Sequence, residues 1–147
     1  MVDVKRTFTV DRPADAVLDY LRDFSRTEEW DPGTVSCERL DGGPVQVGSR
    51  WRNVSKFLGS ETELTYRLTV AEPGHLRFVG ENDTATATDD ITVRPADQPG
   101  RSSVTYHAHI DFHGAAKLAT PIAKIAFEKL AGETEESLTK IFATPVA

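Results

Sequence analysis

A chain of 147 residues is about one domain on the usual scale of roughly 100–200 residues. Its net charge of −6 disfavours nucleic acid or an anionic lipid surface as the main partner. The single cysteine, Cys37, excludes an internal disulfide and a Cys-based zinc site. No apolar run approaches the ~20 residues of a membrane span, and the first residues lack the apolar stretch of a signal peptide. The expectation is one soluble, cytoplasmic domain over residues 1–147, with no membrane insertion and with a homodimer left open.

Val4, Arg6, Phe8 and Val10 alternate with Lys5, Thr7 and Thr9, which predicts a strand over Val2–Val10. Pro13 suits the first position of a helix, and Asp15 lies in the first turn, where the helix dipole favours a carboxylate. Ala14, Val17, Leu18, Leu21 and Phe24 recur at helical spacing, so an amphipathic helix is expected from Pro13 to Asp23. A second helical turn, Thr27 to Trp30, ends at Asp31-Pro32, because a residue before proline avoids the helical region.

From Gly33 to His113 the chain reads as strands punctuated by Gly, Pro and Asp/Asn, with one break at Leu58-Gly59-Ser60. The strands fall at Thr34–Leu40, Ser49–Phe57, Glu61–Ala71, Leu76–Gly80, Ala85–Pro95 and Ser102–Phe112. Short strands joined by tight turns predict an antiparallel meander. Gly114 opens the last element. Thr120-Pro121 reads as a cap followed by a first-position proline, and Ile122, Ile125, Ala126, Leu130, Ser137, Leu138 and Ile141 form an apolar stripe. That helix, of roughly 22 residues, spans about 33 Å. It is the one element large enough to cover a curved sheet, and the stripe Ile122, Ala126, Leu130 and Ile141 is expected on the sheet's concave face.

The segments RPADAVLDYLRDFSRTEEWDPG, VGSRWR…FLG…ELTYRL, TDDITVRP and SSVTYHAHIDFHG, with a P…AFEKLAGE…SL helix, resemble the polyketide cyclase/dehydrase and lipid-transport family of the START-like, or helix-grip, superfamily. The resemblance covers essentially the whole chain. It implies an α+β helix-grip fold, a curved antiparallel sheet wrapped around the C-terminal helix, with a ligand cavity between them. Family members bind apolar ligands or cyclise polyketide chains, so fold alone does not select an activity.

Alternation assigns each strand an inward face. On the last strand it holds Val104, Tyr106, Ala108, Ile110 and Phe112, and on the strand before it Ala85, Ala87, Asp89, Ile91 and Val93. Leu64, Tyr66 and Leu68 face inward on the central strand, as do Trp51, Asn53, Ser55 and Phe57 on its predecessor and Leu76, Phe78 and Gly80 on the short strand. The expected ligand wall is therefore Trp51, Asn53, Ser55, Tyr66, Phe78, Asp89 and Tyr106, with Trp30 at a cavity entrance. An inward carboxylate is costly unless hydrogen-bonded, which makes Asp89 the candidate acid or base, against a plain structural role bonded to Tyr66 or Tyr106.

The outward row His107, His109, Asp111 and His113 has the ligand types of a metal site. Residues two apart on one strand project in parallel, however, about 6.5–7 Å apart, and a solvated polar face is expected instead. No metal or other cofactor is implied. Cys37 reads as a small core residue, and there is no nucleophile elbow, P-loop or dinucleotide fingerprint. In the family's aromatase/cyclases an inward arginine and hydroxyls hold the ligand. Here Arg50, Arg52, Lys56 and Arg67 all read as outward, which counts against cyclase activity. The favoured reading is a carrier or sensor of a small hydrophobic or polycyclic molecule, lipid- or polyketide-like. A polyketide cyclase/dehydratase without metal or nucleotide cofactor, and a protein-interaction domain, are the alternatives.

Overall fold

The computed structural model describes residues 1–57 and 59–143. Its strands are β1 (Val2–Val10), β2 (Thr34–Arg39), β3 (Arg50–Phe57), β4 (Ser60–Glu72), β5 (His75–Glu81), β6 (Ala85–Pro95) and β7 (Ser102–Phe112). Between β1 and β2 lie α1 (Ala14–Arg22), a 3₁₀ turn at Phe24–Arg26 and the single turn α2 (Thr27–Trp30). A second 3₁₀ segment, Gly114–Ala119, leads into α3 (Thr120–Ala143). Of the break expected at Leu58-Gly59-Ser60, Leu58 lies outside the described residues, and Gly59 takes the positive φ of +80° that a tight turn requires.

All seven strands form one antiparallel sheet in the order β1-β7-β6-β5-β4-β3-β2. The first strand thus pairs with the last, in register from Val2 opposite Ile110 to Val10 opposite Ser102. Register shifts at Thr34/Ser36 in β2 and at Leu68/Val70 in β4 add the local bending that a sheet needs to curl around a helix. The expected inward parity holds: Trp51, Leu68, Leu76, Phe78, Ile91 and Val104 are all buried, while Arg50, Arg52, Lys56 and Arg67 are exposed.

Two helix starts differ from expectation. Pro13 precedes α1 as its cap residue in extended conformation (ψ 152°), and its carbonyl accepts from the Ala16 and Val17 amides at 3.1 and 3.2 Å. Thr120 is itself helical (φ −52°, ψ −47°), because the 3₁₀ turn before it already carries the chain in helical conformation and Thr120 N–H donates to the Lys117 carbonyl. The buried stripe of α3 also differs. Ala123, Thr134, Leu138 and Phe142 are buried, whereas Ile122 is 62% and Ile125 76% exposed. The first half of the helix is apolar on both sides, so apolar spacing alone cannot select the face that docks. Side chains on the Ala123/Phe127/Leu138 side meet the sheet, and Ile122 and Ile125 point the other way.

The aromatic core fills one part of the concave face. Phe24 lies 4.5 Å from the Tyr66 ring and 4.4 Å from the Phe78 ring, centroid to centroid, and Trp51 stands edge-on to Phe78 at 5.7 Å. Tyr66 lies so close to β5 that a Cβ on Gly80 would stand 2.7 Å from its ring, so this strand position accepts only glycine without displacing the tyrosine.

The assignment of faces on α3 has a direct test. Leu138→Ala, at a fully buried position, should destabilise the protein by about 2–5 kcal/mol in urea unfolding, and Ile122→Ala by less than about 0.5 kcal/mol.

Candidate functional site

The space that the aromatic core and α3 leave empty is a cavity of about 160 Å³. Its wall is mostly apolar: Val4 and Phe8 from β1, Leu64 from β4, Ala85 and Ala87 from β6, Ala108, Ile110 and Phe112 from β7, and Phe127, Leu130 and Ala131 from α3. Into this wall are set Trp30, Asp31, Ser55, Tyr66, Asp89 and Tyr106, with Arg6 and Thr134. Small residues on β6 and β7, Ala85, Ala87 and Ala108, leave the room; larger ones there would close it.

The structure separates the expected ligand residues into two groups. Ser55, Tyr66, Asp89 and Tyr106 lie in the cavity wall, as does Trp30, which is 2% exposed and so forms part of the wall rather than a rim. Trp51, Asn53 and Phe78 share the inward parity but not the cavity, because the segment between α1 and β2 covers them. Trp51 Nε1 donates to Asp23 Oδ1 at 3.3 Å, and Asp23 also accepts from the Ser25 amide and hydroxyl. Asn53 Nδ2 donates to the Thr27 and Thr34 hydroxyls, each at 3.3 Å, and Asn53 Oδ1 accepts from Ser55 Oγ at 2.6 Å. Thr34 Oγ1 in turn donates to Asp31 Oδ2 at 2.9 Å, and the Gly33 amide to Asp31 Oδ1 at 3.0 Å. These bonds tie the loop after α2 to β3 and fix Trp30 and Asp31 against the cavity.

Asp89 is the chemically distinctive group. Tyr106 Oη donates to its Oδ2 at 2.7 Å. Burial in the apolar wall pushes the Asp89 carboxyl up to about 7; the Tyr106 hydrogen bond opposes this, and the charge of Asp31 adds to it. Burial also raises Asp31, whose bonds to Gly33 and Thr34 pull the other way. The two tyrosine hydroxyls, Tyr66 and Tyr106, are pushed well above their ordinary value by burial and by the neighbouring carboxyls. The site therefore holds one carboxyl poised between its two protonation states near neutral pH, bonded to a hydroxyl that stays protonated.

One residue of the cavity wall lies outside the set expected from the sequence. Arg6 belongs to the inward face of β1 with Val4 and Phe8, opposite Tyr106 in the β1–β7 register. It lines the cavity, donates through Nη2 to the Glu128 carbonyl at 3.2 Å, and lies 3.5 Å from Glu128 Oε2 on α3. The expectation that no arginine faces inward is thereby corrected; the alternation with Val4 and Phe8 was the available signal. Among the described residues, two buried side-chain nitrogens have no hydrogen-bond partner, Arg6 Nε and Trp30 Nε1. Both are donors in residues that line the cavity, and an unmatched buried donor costs about 1–3 kcal/mol.

The histidine row stays on the sheet's convex side, where Asp3 of β1 joins it. Asp3 Oδ1 lies 2.6 Å from His107 Nε2 and 3.0 Å from His109 Nδ1, and His109 Nε2 lies 3.1 Å from Asp111 Oδ2. These contacts hold the Asp3 carboxyl below its usual range and raise His109. His113 turns aside to the Thr86 hydroxyl at 3.2 Å. Among the described residues no group of three or more such side chains is arranged to hold a metal ion.

An antiparallel sheet curled around a C-terminal helix, with a cavity between the two, defines a helix-grip domain. The chain belongs to the polyketide cyclase/dehydrase and lipid transport family, whose model it matches over residues 1–142. No curated protein matches it. Among solved structures it is similar to a START superfamily protein from Mycobacterium smegmatis, at 18% identity over 94% of this chain and 92% of that one, with a TM-score of 0.70. It is similar also to the Zhui aromatase/cyclase from Streptomyces sp. R1128, at 17% identity over 94% and 88% of the two chains, with a TM-score of 0.71. A protein of Thermus thermophilus shares 15% identity over 92% and 95%, with a TM-score of 0.70. At these identities the likeness is one of fold.

The raised Asp89 carboxyl carries a sign for stability. Its proton is held more tightly folded than unfolded, so ionisation opposes folding, and stability falls as pH rises from about 4 to about 7. The difference in unfolding free energy between wild type and Asp89→Asn should change across that window and level off above it. A difference that stays flat with pH contradicts the placement of Asp89 in the apolar wall.

Proposed function

We propose that this protein binds a small, mainly apolar molecule in the cavity between the sheet and α3, and acts as its carrier or sensor, as one domain over residues 1–147 in the cytoplasm. The observation that carries this reading is a mostly apolar cavity whose wall includes the Asp89–Tyr106 pair, with Arg6 and Trp30 among its residues. Apolar walls supply affinity and a few polar groups fix orientation. The volume, about 160 Å³, is close to that of an engineered cavity of about 150 Å³ that takes benzene. It suits a one-ring molecule, and a polycyclic or lipid-like ligand requires α3 to move outward. Burial of ~200 Å² of ligand surface offers about 5 kcal/mol before ordering costs.

A second reading rests on Asp89 itself. A carboxyl near neutrality, held by Tyr106 inside an apolar cavity, suits general acid–base work, in line with the cyclase/dehydrase activity in the family's name. On that reading Asp89 exchanges a proton with the bound molecule, while Tyr106 holds the carboxyl in place.

The test uses phenol and 1-naphthol as probes in thermal-shift titrations. The expected result is stabilisation that rises with probe concentration, since a ligand of the native state alone must stabilise it. Ala108→Phe, which fills the cavity from β7, should abolish the shift while far-UV circular dichroism stays unchanged. Tyr66→Phe should alter selectivity between probes more than stability. An equal shift in the Ala108→Phe variant would contradict the reading. Asp89→Asn separates carrier from enzyme: loss of turnover of a polyketone substrate with probe binding intact assigns chemistry to Asp89.

A further inference from the structure

The Gly114–Ala119 turn and the first two turns of α3 present an apolar surface to solvent. Leu118 is 86%, Ile122 62% and Ile125 76% exposed, and their four- and three-residue spacings group them along one side of the segment. On the other side of the same two helical turns, Ala123 is buried and Phe127 stacks on Phe57 at 4.5 Å in the cavity wall. Exposed large apolar side chains in a cluster mark an interaction site. Charge selects the occupant. From Phe112 to Phe127 the chain holds Lys117 and Lys124, both exposed, and no Asp or Glu, in a protein whose net charge is −6. The sign of the whole is thus reversed over this segment, where Leu118, Ile122 and Ile125 are exposed together.

We propose that this face docks on the surface of an anionic lipid bilayer, with Leu118, Ile122 and Ile125 in the headgroup–acyl boundary and Lys117 and Lys124 on lipid phosphates. Apolar side chains flanked by lysines are the pattern of an interfacial segment, and each lysine near an anionic leaflet adds to the attraction. A second copy of the chain fits less well. Three side chains offer a few hundred Å², short of the roughly 800 Å² per partner of a stable interface. Two like-charged lysine pairs would also face each other across such an interface. The segment contacts lipid without crossing it: among the described residues no helix is long and apolar enough to span a membrane.

The experiment is co-sedimentation with sucrose-loaded vesicles, one set of phosphatidylcholine alone and one with about 30% phosphatidylglycerol. The full chain is used without any added apolar ligand, so the result is independent of the cavity reading. Wild type should sediment with the anionic vesicles, less so with rising salt, and weakly or not at all with neutral ones. Ile122→Glu/Ile125→Glu and Lys117→Glu/Lys124→Glu should each lower the bound fraction by about tenfold or more. All four sites are exposed, so the thermal midpoints should match wild type and show that the variants fold. Wild type left in the supernatant with both vesicle sets, or both variants binding as wild type does, overturns the proposal. So does a concentration-dependent dimer in sedimentation velocity that Ile122→Glu/Ile125→Glu abolishes while wild type ignores vesicles.

Discussion

One helix cannot fill the concave side of a seven-stranded sheet, and the structure follows from how the remaining space is shared. Phe24, delivered by the turn after α1, takes part of it and packs on Tyr66 and Phe78. That packing requires Gly80, since a side chain there would occupy the place of the Tyr66 ring. α3 contributes Leu138 and Phe142 to the same core. What these groups do not reach, above the alanines of β6 and β7, stays open as the cavity. Aromatic side chains in this fold thus do two jobs: Phe24, Trp51 and Phe78 are core, and Tyr66 is shared by core and cavity.

Among the described residues, no cation pairs with the buried acids of the cavity. Asp31 is held by backbone and hydroxyl donors, and Asp89 by Tyr106. Without an opposite charge, burial favours the neutral form, and the coupling between the two carboxyls adds to that preference. Arg6, a cation of the cavity wall, is engaged by Glu128 on α3. On the proposed reading, such a site would take neutral, mainly apolar molecules in preference to anions, which would meet Asp31 and Asp89. The convex side differs in kind. Asp3 bridges His107 and His109 in reach of water, where ion pairs contribute little.

Much of this is legible in the sequence, for physical reasons that differ by element. The strands announce themselves by alternation bounded by Gly and Pro, and parity alone places Ser55, Tyr66, Asp89 and Tyr106 on the side where the cavity lies. Parity does not separate them from Trp51, Asn53 and Phe78, because what covers those three is Phe24 and the loop after α2, a matter of tertiary placement. The buried face of α3 is legible only in part: Leu130, Leu138 and Ile141 of the expected stripe reach the cavity or the core, but Ile122 and Ile125 extend the apolar spacing onto the exposed side. Arg6 is hidden for another reason: a single charge in an otherwise apolar row leaves the alternation intact and points to no site. A long side chain can line a cavity with its stem and keep its guanidinium near the surface.

The central claim is that a ligand enters the space beside Trp30 and leaves the Phe24 core undisturbed, and the two indoles of the chain report on it separately. Trp51 Nε1–H is engaged by Asp23, whereas Trp30 Nε1–H has no acceptor and lies in a residue of the cavity wall. A ¹H–¹⁵N correlation spectrum of the indole region, recorded during titration with phenol, tests the claim directly. The account predicts that the Trp30 indole resonance shifts with saturation and the Trp51 resonance stays in place. Two stationary indole resonances at saturating probe, or a Trp51 shift as large as that of Trp30, would contradict it.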